Sequence, residues 1–135
     1  DALTKAHLSA QDINYINLHG TGTIQNDITE SKAVIRVFCP DISCSSTKAL
    51  TGRTLGAAGA TEVGLCWIAL NNDKEGKITL PQHVWDAQHD DDIHLTNLNT
   101  NNQKIIPAGK ITLLSNSFAF GGSNASVIIA REFDE

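Results

Sequence analysis

The alternation between two hydrophobic periods constrains the fold of this chain more than any other feature. Residues 12–18, DINYINL, place apolar side chains among polar neighbours in a short β-rich run, which predicts a strand. Apolar residues then recur at helical spacing up to Phe38, with Asn26 or Asp27 as the N-cap and Pro40 as the stop. A strand that leads straight into an amphipathic helix is typical of α/β architecture.

The same alternation continues along the chain. Residues 42–46 predict a second strand, and residues 55–71 predict a helix rich in glycine and alanine that packs closely against its neighbours. Two further β-rich runs, 110–118 and 124–132, are separated by a glycine-containing turn, which predicts a hairpin. The polar, poorly periodic residues 72–104 are interpreted as an extended surface connection. We therefore expect a layered α/β fold with a mixed, mostly parallel sheet and one antiparallel member.

Length and charge narrow the class of protein. The 135 residues, 41% of them hydrophobic, support one domain, and the net charge of −5 gives no basic surface for nucleic acid. The longest mostly apolar stretch is interrupted by Thr61 and Glu62, and residues 1–12 include no methionine and no apolar run of the kind found in leader segments. We expect a cytoplasmic protein with no membrane or nucleic-acid partner, and a chain that is a piece of something longer.

The cysteines and the remaining histidines do not form a recognisable metal motif. Cys39, Cys44 and Cys66 lack CxxC spacing, so we interpret all three as small buried hydrophobic residues. His83, His89 and His94 lie close to several aspartates in sequence, but without HxH or HxxxH spacing. We therefore interpret that segment as a solvated loop and expect no metal.

The motif HGTGT at residues 19–23 is ambiguous when taken alone. Glycines at a strand-to-helix turn let backbone N–H groups cradle a phosphate, but the spacing matches neither GxGxxG nor GxxxxGK[ST]. A single histidine at a turn is more often structural than catalytic. Because sites in parallel sheets lie beyond the carboxyl ends of the strands, we expect His19, residues 46–54 and residues 118–123 to converge.

Three motifs in this order carry a more specific signal. The sequences INLHGTGTIQNDITE (16–30), SSTKALTGRTLGAAGATE (45–62) and NSFAFGGSNAS (116–126) resemble the C-terminal half of the beta-ketoacyl-acyl-carrier-protein synthases, which have the thiolase fold. The resemblance implies a thiolase-like half-domain. It also implies that residues 1–135 are a C-terminal ketosynthase domain that lacks the N-terminal half.

The resemblance assigns roles to residues of the first two motifs. His19 matches the family's catalytic histidine, and Thr21 and Thr23 match threonines that bond the pantetheine arm. Lys48 matches the active-site lysine, and Glu30 falls where the family has an acidic residue near that lysine.

The third motif matches the family's turn that gates the acyl pocket. Ala119, Phe120, Gly121 and Gly122 occupy this turn, and Phe118 precedes it; Phe118, Phe120 and the two glycines are expected to contact substrate. Ala119 replaces a glycine, and if that position needs a positive φ the alanine costs about 1 kcal/mol and stiffens the gate. Ala119→Gly is then expected to broaden the accepted chain lengths.

By resemblance, the function is decarboxylative Claisen condensation of acyl and malonyl thioesters in fatty-acid or polyketide synthesis. A histidine N–H stabilises the enolate that forms as carbon dioxide leaves, and a cysteine thiolate holds the acyl group. The substrates ride on the phosphopantetheine of acyl carrier protein, so no separate cofactor is expected. The family also implies a homodimer or heterodimer for the full-length protein.

Two departures keep other interpretations open. None of the three cysteines lies in the strand-to-helix elbow that the nucleophile needs, so this chain alone does not supply it. The family's second catalytic histidine is replaced by Arg53, which is larger and always cationic. Three interpretations of Arg53 are open. Its side chain points outward and pairs with an acid, or it binds a malonyl carboxylate or the carrier phosphate. In the third interpretation, the chain belongs to a chain-length-factor-like partner subunit or a transacylase. A nucleotide-binding α/β domain is the remaining class.

Overall fold

A four-stranded sheet with helices on both faces forms the centre of the structure, a computed structural model that describes residues 1–118 and 120–134. In chain order the elements are α1 Ala2–Ala6, β1 Tyr15–Asn17, α2 Ile24–Val37, β2 Cys44–Ser45, α3 Lys48–Thr51, α4 Ala58–Asn71, β3 Asp73–Lys74, β4 Lys77–Thr79, β5 Lys104–Ile105, β6 Gly109–Phe118 and β7 Asn124–Phe133, with 3-10 turns at Ala10–Asp12, Leu55–Ala57 and Phe120–Gly122.

The sheet has the mixed topology that the sequence predicts. Its strand order is β2-β1-β6-β7. β1 pairs in parallel with both β2 and β6, and β7 pairs antiparallel with β6 along its whole length. The mostly parallel sheet with one antiparallel member is therefore confirmed, and the carboxyl ends of β1, β2 and β6 meet at one edge.

The two faces of the sheet are covered by different helices. Ile16 and Leu114 face a buried cluster that includes Val34 of α2. Their sequence neighbours Tyr15 and Leu113 face a second cluster formed with α4. This alternation follows the period-two geometry of strands, and it makes the layered α/β fold.

Helix α2 starts earlier than the sequence predicts. α2 begins at Ile24 with Thr23 as its N-cap residue, so the expected N-cap at Asn26 or Asp27 is wrong. The Asn26 side chain instead donates to the Thr21 hydroxyl, and Asp27 lies near the amides of Gly22 and Thr21. Pro40 does follow closely on the end of α2 at Val37, as expected of a stop signal.

The segment 72–104 is not a simple surface connection. It contains β3 and β4, and its last residue begins β5, which together form a three-stranded antiparallel sheet. Ile78 and Leu80 are buried against α4, and the fully buried Asn99 side chain donates to the carbonyls of Leu80 and Pro81. These long-range contacts order a segment that has little periodicity of its own.

The cysteines differ in burial. Cys44 and Cys66 are buried in the two core clusters, which confirms their interpretation as small hydrophobic residues. Cys39 is exposed in the loop after α2, so the same interpretation is wrong for this residue. Across the described ranges, no helix has the length and hydropathy needed to cross a membrane.

Candidate active site

Three chain segments converge at the carboxyl edge of the parallel strands. The rings of His19, after β1, and Phe118, at the end of β6, meet edge to face with centroids 5.7 Å apart. Lys48, after β2, donates from Nζ to the backbone oxygen of His19 at 2.5 Å. The expected convergence of these segments is thus confirmed.

The backbone of residues 19 and 20 is held by one carboxylate of α2. Glu30 accepts the N–H of His19 through Oε1 and the N–H of Gly20 through Oε2, both at 2.8 Å. One turn earlier, burial raises the pKa of Asp27, and the nearby amides of Gly22 and Thr21 partly oppose this shift. The amides of His19 and Gly20 are therefore committed to Glu30, and these two do not offer the free N–H groups that a phosphate cradle requires.

The acidic partner of Lys48 is not the one that the sequence indicates. Glu30 was expected near the lysine, but its carboxylate is bound to the 19–20 backbone. Lys48 instead forms an ion pair with Glu62 of α4. The Lys48 and Glu62 side chains are only 7% and 1% exposed, so the pair is shielded from water. A lone carboxylate in the otherwise apolar α4 is the sequence signal that could have identified it.

Burial shifts the titration of these carboxylates. It raises the pKa of Glu30, and the hydrogen bonds from the Gly20 and His19 amides only partly oppose this shift. Burial also raises the pKa of Glu62, against the hydrogen bond and the charge of Lys48. Both groups are thus held by specific contacts in a poorly hydrated setting.

The electrostatic setting of His19 favours the neutral imidazole. Burial is the largest cause that lowers the pKa of His19, and the positive charges of Lys48 and Arg53 add to it. Nδ1 is buried and has no hydrogen-bond partner among the described residues. A neutral imidazole donates one hydrogen bond and can serve a developing negative charge.

Gly20 lies in close contact with the start of the lysine loop, the segment 46–54 that carries Lys48. The Ser46 hydroxyl donates to the Gly20 carbonyl at 2.8 Å and lies within 3.4 Å of the Lys48 N–H. A Cβ atom on Gly20 would lie 2.5 Å from Ser46 Cβ, and the φ angle of Gly20 is +38°. A glycine is therefore required here by both the backbone conformation and the packing.

The two threonines lie on the exposed rim of the site. The hydroxyls of Thr21 and Thr23 are 2.9 Å apart, and Asn26 donates to the Thr21 hydroxyl at 3.3 Å. They form a small polar surface next to His19.

The turn after β6 is described only in part. Gly121 and Gly122 have φ angles of 76° and 80°, which favour glycine at both positions. Ala119 lies outside the described residues, as does the side chain of Phe120, so the expectation for the gating turn stays a prediction.

A cavity of about 820 Å³ lies between the 20–22 turn, the lysine loop and the segment after β4. Lys48, Arg53, Asp27, His83 and Trp85 are among the residues that line it. Sequence reasoning missed His83 as a site residue, although its ring accepts a hydrogen bond from the lysine loop. Over residues 1–118 and 120–134, His, Cys, Asp and Glu side chains form no group of three or more suited to a metal ion.

None of the cysteines is an activated nucleophile. Burial raises the pKa of Cys44 and Cys66 to about 12. The pKa of the exposed Cys39 is also raised, chiefly by a hydrogen bond with Asp41. Because the thiolate is the reactive form, this chain contributes a histidine and a lysine to the site but no reactive thiol.

The fold, the motif order and the site geometry agree with a family profile. The profile of the beta-ketoacyl synthase C-terminal domain matches residues 1–78. The chain belongs to this family.

Relatives and solved structures agree with this assignment. Nodulation protein E of Rhizobium sp. (strain N33) is 38% identical over 126 residues, which cover 91% of this chain and 29% of that protein. The 3-oxoacyl-[acyl-carrier-protein] synthase 1 of Haemophilus influenzae is 40% identical over 120 residues, covering 88% and 28%. The chain thus spans less than a third of these relatives.

A structural neighbour confirms the thiolase-like fold. In the complex of a ketosynthase with its chain length factor from Xenorhabdus doucetiae, one chain superposes with a TM-score of 0.84 at 44% identity. The match covers 98% of this chain and 31% of that chain.

Proposed function

We propose that residues 1–135 are the C-terminal ketosynthase domain of a longer protein that condenses acyl and malonyl thioesters in fatty-acid or polyketide synthesis. The observation that carries this proposal is the fixed position of His19. Its backbone is held by Glu30 on the N–H side and Lys48 on the carbonyl side. Its ring lies against Phe118, beside two cationic side chains.

The chemistry uses His19 as an electrostatic catalyst. When the bond between the malonyl α-carbon and its carboxylate breaks, carbon dioxide leaves and the electron pair moves onto the thioester oxygen. The His19 N–H donates to that oxygen, a contribution of about 10²–10³ in rate in comparable oxyanion sites. The enolate carbon then attacks an acyl thioester on a cysteine from the rest of the protein, and that cysteine leaves as a thiolate.

The other residues hold the catalyst and the substrate arm. Lys48 forms a buried ion pair with Glu62 and donates a hydrogen bond to the His19 carbonyl, which fixes that carbonyl. Thr21 and Thr23 offer exposed hydroxyls to the amides of a pantetheine arm. The substrates are carried by acyl carrier protein, no further cofactor is needed, and the full-length protein works as a cytoplasmic homodimer or heterodimer.

Arg53 supports a second candidate function. Its position beside the cavity, in place of the second histidine, places a permanent positive charge near His19. A cation that binds the malonyl carboxylate opposes loss of carbon dioxide. The alternative is therefore a transacylase, or a chain-length-factor-like subunit that supports an active ketosynthase.

Carbon dioxide release from malonyl-carrier protein separates the two candidates. The assay compares the full-length protein with its Arg53→His variant. Comparable release from both is the expected result, because His19 and Lys48 then suffice for decarboxylation. Release from the histidine variant alone would refute the condensing function and favour the transacylase or partner subunit.

A further inference from the structure

His83 makes a contact that the proposed mechanism does not use. Its Nδ1 atom accepts a hydrogen bond from the Ser46 N–H at 3.0 Å, in a half-buried position on the wall of the cavity. An imidazole accepts at Nδ1 only when that nitrogen carries no proton. The neutral ring therefore has its proton on Nε2, and the contact exists only in the neutral form.

The backbone that carries His83 is held in place by hydrogen bonds to a buried residue. Its N–H donates to the carbonyl of Asn99 at 2.7 Å. The fully buried Asn99 side chain in turn binds the carbonyls of Leu80 and Pro81 and accepts the Gln103 N–H. The ring is therefore presented to the lysine loop from a fixed backbone.

The contact reaches the candidate active site through Ser46. The Ser46 hydroxyl donates to the Gly20 carbonyl and lies near the Lys48 N–H. Lys48 then holds the carbonyl of His19. Ser46 packs so closely on Gly20 that no Cβ atom fits between them, and because the two residues are also joined by a hydrogen bond, we expect movement of Ser46 to be transmitted to the His19 backbone.

We propose that His83 is a positioning residue for the condensation reaction, which acts in its neutral form by fixing Ser46 and thereby the His19–Lys48 geometry. The inference rests on the proposed ketosynthase function of the same site. Protonation of His83 turns Nδ1 into a donor that faces the Ser46 N–H. The hydrogen bond between His83 and the lysine loop is then lost.

The charged and titratable groups around His83 determine the pH at which its hydrogen bond to Ser46 is lost. Burial is the largest cause and lowers the pKa of His83, whereas the negative charge of Asp27 on α2 and the backbone of Ser46 oppose the shift. Lys48 and Arg53 of the lysine loop, and Asp90 of the same segment as His83, line the same cavity. The contact is thus intact at neutral pH and is lost under acidic conditions.

Three substitutions at residue 83 of the full-length protein test the proposal. His83→Asn keeps an acceptor near the Nδ1 position without a titratable group, whereas His83→Gln moves the amide toward the Nε2 position and His83→Leu has no acceptor. His94→Asn, at an exposed histidine of the same segment, is the matched control. The readouts are kcat and KM for carbon dioxide release from malonyl-carrier protein between about pH 5 and about pH 8.5. This range includes the usual histidine pKa of about 6.5.

The expected result is a split between the variants. At alkaline pH, the kcat of His83→Asn stays within about twofold of the wild-type value. His83→Gln and His83→Leu lower kcat about tenfold with little change in KM, because they lose the hydrogen bond that positions the loop. The acidic limb of log kcat is less steep in His83→Asn than in the wild type, and His94→Asn leaves it unchanged. Equal kcat in Asn and Gln, or acidic limbs that superpose in wild type and His83→Asn, would overturn the proposal.

Amide hydrogen exchange keeps this test independent of the condensing activity. If the wild-type protein releases no carbon dioxide, the proposed function fails, but exchange at residues 18–22 and 46–48 still reports on positioning. Faster exchange in His83→Gln than in His83→Asn supports the role of His83. Identical exchange in both variants would contradict it.

Discussion

Gly20→Ala should disrupt the site through a single methyl group. The φ angle of Gly20 is +38°, and the added Cβ would lie 2.5 Å from Ser46 Cβ and 2.6 Å from Ser46 Oγ. Carbon atoms in contact prefer separations of about 3.5–4.0 Å, so the two backbones must move apart by about 1 Å. Ser46 cannot yield freely, because its N–H is bound to His83 and its hydroxyl to Gly20.

The magnitude is the sum of two terms. A non-glycine residue in the left-handed region costs about 1–2 kcal/mol, and an overpacked contact costs about 1–3 kcal/mol more. Gly22→Ala isolates the first term, because Gly22 has a φ angle of +72° but no atom within 4 Å of the added Cβ. We therefore expect the free energy of unfolding to fall by about 2–5 kcal/mol in Gly20→Ala and about 1–2 kcal/mol in Gly22→Ala.

Urea unfolding of the full-length protein and its variants measures this difference. Adding Ser46→Gly to Gly20→Ala removes the opposing Cβ and should recover part of the loss, which a double-mutant cycle reports as a favourable coupling. Equal destabilisation by the two alanine variants, with no coupling to Ser46, would refute the close contact between the turn and the lysine loop.

Other contacts give further predictions. Lys48→Met leaves Glu62 buried without its cation, so it should lower the free energy of unfolding by about 3–5 kcal/mol in urea unfolding. The double variant Lys48→Met with Glu62→Gln should lose less, because no buried charge is left unpaired. Equal losses in the two variants would contradict a buried ion pair. Tyr15→Phe removes a buried hydroxyl that contacts Ser45 Oγ at 2.5 Å and should cost about 1–2 kcal/mol by the same assay, and no change would exclude this network. Because burial lowers the pKa of His83 below 6.5, the unfolded state takes up protons that the folded state excludes, so this histidine makes stability fall as pH decreases through 6.5. Unfolding followed from about pH 7.5 to about pH 5, which spans the usual histidine pKa of about 6.5, should show a weaker pH dependence in His83→Asn, and identical curves would contradict the shift.

The sequence predicts the sheet and the convergence of the site for a physical reason. A strand that ends at Asn17 and one that ends at Ser45 have their carboxyl ends at one edge once they are parallel, so His19 and Lys48 must be neighbours. Local patterning and one topological rule are enough for this part of the account.

The partner of Lys48 could not be predicted in the same way. Glu30 and Glu62 are single acids on two different helices, and sequence spacing does not say which one faces the lysine. The answer depends on how α2 packs against the 19–22 turn and how α4 packs against the opposite face of the sheet. The fold of segment 72–104 was missed for a related reason, because the pairing of Ile78 with Ile105 is a long-range contact between very short strands.

The central claim is that His19 stabilises the negative charge that develops as carbon dioxide leaves. The most direct measurement is the rate of carbon dioxide release from malonyl-carrier protein by the full-length protein and by its His19→Ala variant, with thermal unfolding to verify that the variant is folded. The account predicts release by the wild type and a loss of about 10²–10³ in kcat for a folded His19→Ala variant. A folded variant that releases carbon dioxide at the wild-type rate would contradict it.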